Sequence, residues 1–412
     1  MSSPANPKSD TTANLRKAYA LRLSDGLVTT TVAFAIPVLI YSITHNVKLS
    51  GISFMLEWLP RLVAIPIAGP LVDHFGSQRI FRVTSSVRTL AALAALVGLV
   101  LAPNAWTIIL LFGIVSGMMA QASFVAAEHM GMSLTTSEAH KVQAAQVTID
   151  QAVLVLGPLL GGVFLAIGKP SVFGFVAVLS LISLGITRKV VVPHETRQQK
   201  LQISRDLFSG FQILGRNRTL LSLSLGLAGT NLLFALIITM TPAFLSQHFQ
   251  LGNNKVSLVW TIAAICSVVA TTCVGRLVSK VGVMAIGVWS LTVACFAAGM
   301  LGFSHSYYIY VAIVAVFVSM DSAGSVFLRT VRIKLIPKDK YGVTVGAMVL
   351  ALLAPYPIAG GLVAVLPFRA ISWVLVVSAL FTLGTVALCF RSIDRTEIEE
   401  SAPKSKLALE NE

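Results

Sequence analysis

Apolar residues in this chain come in long unbroken runs, not in the alternation of a half-buried strand or the single stripe of a surface helix. A run of about 20 apolar residues crosses a bilayer as a helix. Lipid offers backbone polar groups no partner, so such runs must be helical. The pattern predicts twelve spans, at 20–43, 51–72, 83–102, 106–129, 144–168, 171–187, 219–246, 255–278, 283–303, 307–330, 343–366 and 370–391. Gly, Pro and Asn at 103–104, 168–170 and 252–254 mark turns on one side. Between the sixth and seventh spans lies a charged stretch with Pro193, in which 203–214 reads as a surface helix. The implied architecture is an all-α membrane protein with two pseudo-symmetric six-helix bundles. Its parts are a disordered cytoplasmic N-tail at 1–19, bundles at 20–187 and 219–391, a cytoplasmic linker at 188–218, and a cytoplasmic C-tail at 392–412.

Composition narrows the class. The 412 residues are 55% hydrophobic and only 12% charged, with a mean hydropathy of +0.82. A soluble domain carries about twice that charge. The net charge of +14 would suit nucleic acid, but its placement excludes that partner. Turns on the linker side hold most of the Lys and Arg, among them Arg79, Arg82, Lys141, Arg188, Lys189, Arg216, Arg218, Arg276, Lys280, Arg332 and Lys334. The opposite turns hold only Lys48, Lys169, Lys255 and Arg369. This is the positive-inside asymmetry of a multi-pass protein of the cytoplasmic (inner) membrane, with both termini in the cytoplasm. Cys266, Cys273, Cys295 and Cys389 sit in apolar segments without CxxC spacing, so neither a disulfide framework nor a metal site is expected. No phosphate-binding loop, HExxH or Ser/His/Asp pattern is present. The expectation is a monomeric non-enzyme with no catalytic residue and no cofactor, powered by an ion gradient, with the proton as the candidate ion, or by the substrate's own gradient.

Two repeated patterns stand out. Gly69-Pro-Leu-Val-Asp73-His-Phe-Gly76-Ser-Gln-Arg79 falls in the first strongly polar turn, and Gly275-Arg-Leu-Val-Ser-Lys-Val-Gly282 echoes it half a chain later. Glycines there allow a tight turn, and a repeat at that interval implies two similar halves. Gly157-Pro158-Leu-Leu-Gly161-Gly162 in the fifth span is matched by Pro355-Tyr-Pro-Ile-Ala-Gly-Gly361 in the eleventh. Small residues bring helices close, and proline bends them.

The first pattern resembles motif A of the major facilitator superfamily, G-x3-D-[RK]-x-G-x-x-R, with His74 where that family usually has Arg or Lys. Gly157-Pro158-Leu-Leu-Gly161-Gly162 resembles the core of its motif C, which goes with antiporting exporters. Glu57-Trp-Leu-Pro-Arg61, Arg88 and Val142-Gln-Ala-Ala-Gln146 make the chain look most like the drug and siderophore exporter branch that includes the enterobactin exporter. The resemblance spans roughly residues 16–391. It implies alternating access, proton-driven export of a siderophore or drug-like molecule, and a gate formed by Gly69, Asp73, Gly76, Arg79, Gly275, Gly282, Gly157, Pro158, Gly161 and Gly162. An importer or lysophospholipid flippase of the same fold stays open as an alternative. So does a transport-inactive sensor or scaffold that docks through the basic linker and the acidic tail.

Ionisable groups inside a bilayer are costly and mark function by default. Asp321 is the deepest acid, about 21 Å along its span at 1.5 Å per residue, on a face of Ser319, Ser322, Gly324 and Ser325. It reads as a proton-titrating or substrate-contacting carboxylate, or as a partner of Arg329 or Arg332. Arg88 reads as half of a structural ion pair or a holder of an anionic substrate. Glu57 and Arg61 are an i,i+4 pair that becomes a clamp or gate if it faces a cavity. Asp25 reads equally as a functional acid or a helix-start cap with Ser24. Asp150 is a similarly shallow acid, and Glu128 with His129 ends the fourth span. Asn231 reads as a substrate contact or a bridge between helices. Trp58, Trp260 and Trp289 read as interface anchors or packing rather than ligand platforms, and Phe124, Phe234 and Phe327 as core packing ahead of an aromatic cavity lining.

Overall fold

The computed structural model describes residues 7–134, 139–190, 203–336 and 341–392, all arranged as helices and short joints. The first six spans are α1 (Pro7–Thr44), α2 (Val47–Phe75), α3 (Ser77–Leu101), α4 (Trp106–Ser133), α5 (Ala139–Ile167) and α6 (Lys169–Thr187). A short helix, α7 (Ile203–Arg216), lies over the stretch expected to form a surface helix. The second set is α8 (Arg218–Gln247), α9 (Asn253–Val281), α10 (Val283–Leu301), α11 (Tyr307–Leu335), α12 (Tyr341–Leu353), α13 (Pro355–Val365) and α14 (Phe368–Ser392). Twelve segments among the described residues are long and apolar enough to cross a membrane, with α12 and α13 together making the eleventh.

One expectation needs correction and two gain detail. The N-tail is helical from Pro7, not disordered through residue 19. A helix extends cheaply from a stable apolar segment once nucleated, and Lys17 on this extension donates to the Lys189 carbonyl at the end of α6. The polar turn at 69–79 is a single residue: α2 runs to Phe75 and α3 starts at Ser77. Gly76 alone makes the joint, with φ 83°, and Gly282 repeats it between α9 and α10 with φ 88°. Both lie in the region where a side chain is strained. The hydrogen-bond ladder of the eleventh span is interrupted after Ala354, whose own backbone stays α-helical at φ −54° and ψ −32°. Pro355 and Pro357 lack the N–H groups that would continue the ladder. The acidic tail at 393–412 lies outside the described residues.

The two sets of six meet at the end away from α7. There α2 packs on α13 backbone to backbone. A Cβ on Gly51 would stand 2.7 Å from the Gly360 carbonyl oxygen and 2.8 Å from the Ala364 nitrogen. In the matching pair, α5 lies against α9, where a Cβ on Gly162 would collide with Ser257. Gln247 also donates to the Tyr41 hydroxyl at 3.3 Å, joining α8 to α1. Within the first set, Gly157 and Gly161 let α5 press on Thr30 and Phe34 of α1. Thr30 and Thr31 donate to the Val153 and Gly157 carbonyls around Pro158.

At the α7 end the contacts are looser. Asp73, His74, Phe75 and Arg79 are exposed, a Cβ on Gly69 would meet nothing within 4 Å, and Arg79 does no more than approach the Phe75 ring at 5.9 Å. Gly275 lies within α9; the side chains of Arg276 and Lys280 are outside the described residues.

Candidate functional site

A cavity of about 330 Å³ lies between the two sets of helices. Its walls come from α1, α2 and α5 on one side and α8, α9, α11 and α13 on the other. Each helix contributes through a feature of its sequence. The prolines and glycines of α5 and α13 set those helices close to their neighbours, and an aromatic cluster fills the far-end floor. Trp58 packs on Tyr356 with ring centres 4.0 Å apart, Phe54 lies 6.2 Å from the same Tyr356, and Phe234 meets Trp260 at 5.5 Å. Arg61 lies over the Trp58 ring at 4.2 Å. A layered arrangement of Arg61, Trp58 and Tyr356 therefore crosses from α2 to α13.

Charge is distributed unevenly around this space. All three ion pairs among the described residues sit in the first set of helices. Arg88, only 2% exposed, donates from Nη1 to Asp25 Oδ1 at 2.5 Å and from Nη2 to Thr29 Oγ1 at 2.7 Å. Arg61 donates to Glu57 Oε1 at 3.4 Å along α2. Arg22 grips Asp150 through Nε and Nη2, both at 2.8 Å, and its guanidinium stacks on Phe124 at 3.7 Å. Buried charges need such partners. The second set contributes Asp321 to the cavity wall, beside Thr230. Its Oδ1 is buried without a hydrogen-bond partner, and among the described residues it forms no ion pair. Pairing with Arg329 or Arg332 rests on side chains outside the described residues.

Of the residues singled out from sequence, Asp321 and Arg61 line the cavity. Glu57 touches it through Arg61. Asp25 and Arg88 form a pair one layer behind, through Thr29 on the wall. Asp25 is no helix-start cap, because α1 begins eighteen residues earlier, at Pro7. Asp150 is spent on Arg22. Asn231 is a bridge: its Nδ2 donates at 2.8 Å to the Leu352 carbonyl, just before the break between α12 and α13. Trp58 and Trp260, expected as interface anchors or packing, are buried and line the cavity, whereas Trp289 is 70% exposed on the outer surface. Phe234 also lines the cavity, and Phe327 is packed in the core. Reasoning from sequence missed Tyr356 as a wall residue. Its signal was an aromatic ring between Pro355 and Pro357, in the proline- and glycine-rich segment that packs on α2.

The family model described as Major Facilitator Superfamily matches residues 19–355. The chain belongs to the major facilitator superfamily. This facilitator is therefore a membrane transporter and not an enzyme, with a small-molecule substrate and a lipid bilayer as its setting. Comparison with curated proteins finds no match. Among solved structures, the facilitator is similar to a bacterial homologue of the iron transporter ferroportin in its inward-facing state, at 16% identity and a TM-score of 0.70, covering 92% of this chain and 98% of that one. It is also similar to the nucleoside transporter NupG, at 11% identity and a TM-score of 0.69, covering 92% and 100%. A bacterial homologue of the human lysosomal transporter Spinster matches at 15% identity and a TM-score of 0.67, covering 95% and 98%. Identities this low establish the shared fold.

Proposed function

We propose that this facilitator exports a small organic molecule across the cytoplasmic membrane by proton antiport, with Asp321 as the carboxylate that takes up and releases the proton. The observation that carries this reading is Asp321, half-buried on the wall of a cavity shared by both halves, with its Oδ1 unpartnered and no ion pair among the described residues. Asp25, Glu57 and Asp150 each hold a cation, so protonating any of them strands a buried Arg. Protonating Asp321 instead removes a charge that has no counter-ion among the described residues.

The cavity supports an organic cargo. Its volume is near the low end of the roughly 300–1,000 Å³ of small-molecule sites, which favours a drug-sized molecule over a large siderophore. Its walls hold Phe34, Phe54, Trp58, Phe234, Trp260 and Tyr356 around one carboxylate. A bare metal ion such as the cargo of the ferroportin homologue needs several oxygen or nitrogen ligands at once. With the linker on the cytoplasmic side, the closed far end and the loose α7 end describe an inward-open form, ready to load from the cytoplasm.

Asp321→Asn keeps the side-chain shape and removes the titratable group. In reconstituted vesicles the variant is expected to lose pH-gradient-driven transport by more than tenfold, with its thermal unfolding midpoint unchanged. Intact coupling in the folded variant would falsify the proton role.

The disengaged α2–α3 corner gives a second expectation. In the alternate form, Asp73 closes on a helix N-terminus of the other half, an interaction of about 1 kcal/mol. Asp73→Asn should slow turnover severalfold and leave substrate affinity within twofold. A large affinity loss at normal turnover contradicts the gate.

A further inference from the structure

Four buried polar atoms without partners converge on the one cavity. Trp58 Nε1, Arg61 Nε and Trp260 Nε1 are donors, and Asp321 Oδ1 is an acceptor. Buried polar groups are nearly always hydrogen-bonded, and each orphan costs about 1–3 kcal/mol. Four hydroxyls on the same wall are satisfied: Thr30 donates to Gly26 and Val153 carbonyls, Thr29 accepts from Arg88, and Ser267 and Ser322 bond each other at 2.6 Å. Five further unpartnered atoms among the described residues lie off this wall, Glu57 Oε2 and Arg88 Nε among them; the four on it are set apart by sharing one cavity. They mark the positions a ligand has to satisfy.

The charges define the ligand further. Arg61 is compensated by Glu57, and Arg88 by Asp25. The first half therefore offers the N–H donors of Trp58 and Arg61 with no net charge, whereas the second half offers the Trp260 N–H and, at Asp321, a negative charge without a counter-ion among the described residues. Between these ends the walls are aromatic, with faces from Trp58, Tyr356 and Phe234.

We propose that the cavity takes a monocationic amphipathic molecule, with its protonated amine on Asp321, its aromatic body against Tyr356 and Phe234, and neutral hydrogen-bond acceptors on the N–H groups of Trp58, Trp260 and Arg61. This assignment rests on reading the cavity as the transport site, but not on protons driving transport. It departs from an anionic catecholate siderophore, which Asp321 repels and which finds no free cation on the described wall.

The test is isothermal titration of the full-length protein in lipid nanodiscs, without a pH gradient, using three probes. Quinine carries a protonated amine and an aromatic body with ether and ring-nitrogen acceptors. Tetraphenylphosphonium is a cation without acceptors, and 6-methoxyquinoline has acceptors without the amine. Wild type is expected to bind quinine most tightly. Trp58→Phe and Trp260→Phe, which keep the ring and delete the N–H, should each weaken quinine about tenfold, the loss of one buried hydrogen bond, and leave tetraphenylphosphonium within twofold. Asp321→Asn should weaken quinine and tetraphenylphosphonium but not 6-methoxyquinoline. Two tryptophan variants are used so that a folding failure at one site, seen in thermal unfolding, leaves the other informative.

The proposal is overturned if wild type binds no quinine, if both folded tryptophan variants bind it as wild type does, or if Asp321→Asn does. Normal binding behaviour alongside pH-driven transport that survives Asp321→Asn sinks the proton role alone. Lost coupling alongside indifferent binding sinks the ligand assignment alone.

Discussion

Asp25→Ala is expected to destabilise the purified protein by roughly 3–5 kcal/mol, the cost of leaving a buried partner charge uncompensated. Arg88 is almost fully buried, and Asp25 receives its shortest bond, at 2.5 Å. Thr29 and Ser123 accept from the same guanidinium at 2.7 Å and 3.4 Å, and they cannot neutralise it. The double variant Asp25→Ala, Arg88→Met removes both charges and keeps apolar volume, so it should recover most of the loss. Thermal unfolding in detergent, followed by tryptophan fluorescence, measures all three proteins. A single variant as stable as wild type, or a double variant no better than the single, contradicts a structural role for the pair.

The second large effect is expected at Gly51. Its α-carbon faces the backbone of α13, and a Cβ there would stand 2.7 Å from a carbonyl oxygen that cannot move as a flexible side chain does. Gly51→Val should therefore forbid the closed far end and cut turnover by more than tenfold. The direct measurement is a crosslink. In a background without the four native cysteines, Tyr41→Cys and Gln247→Cys replace the pair now joined at 3.3 Å. The two cysteines should crosslink readily with Gly51 present and poorly once Gly51→Val is added. Equal crosslinking in both backgrounds means the α2–α13 contact does not hold that end shut.

Much of this was legible in the order of residues. Run length alone located twelve spans, because lipid leaves an apolar run one conformation. The echo of Gly76 at Gly282 announced the duplication, since a joint with positive φ admits glycine and little else. Partners were harder. Glu57 and Arg61 could be paired by spacing along one helix, but Arg88 with Asp25 is a contact across 63 positions and Arg22 with Asp150 one across 128. Periodicity is blind to both. The tryptophans show the same limit. Trp58, Trp260 and Trp289 are alike in sequence setting, yet two face the central space and one faces outward. Only the rotation of α2, α9 and α10 about their axes decides that. Tyr356 faces the cavity by the same rotation, this time of α13, in a segment that hydropathy reads as uniformly apolar.

The one-residue corners at Gly76 and Gly282 carry a mechanical implication. With a single residue between α2 and α3, and again between α9 and α10, neither pair has slack to absorb a relative slide. Each behaves as a bent rod, and displacing one arm drags the other. When α2 swings away from α13, the outlying α3 must travel with it through the surrounding lipid. Viscous drag and lateral pressure from the bilayer thus reach the machinery directly, and thickening the membrane should change how fast it cycles without any change in what it binds.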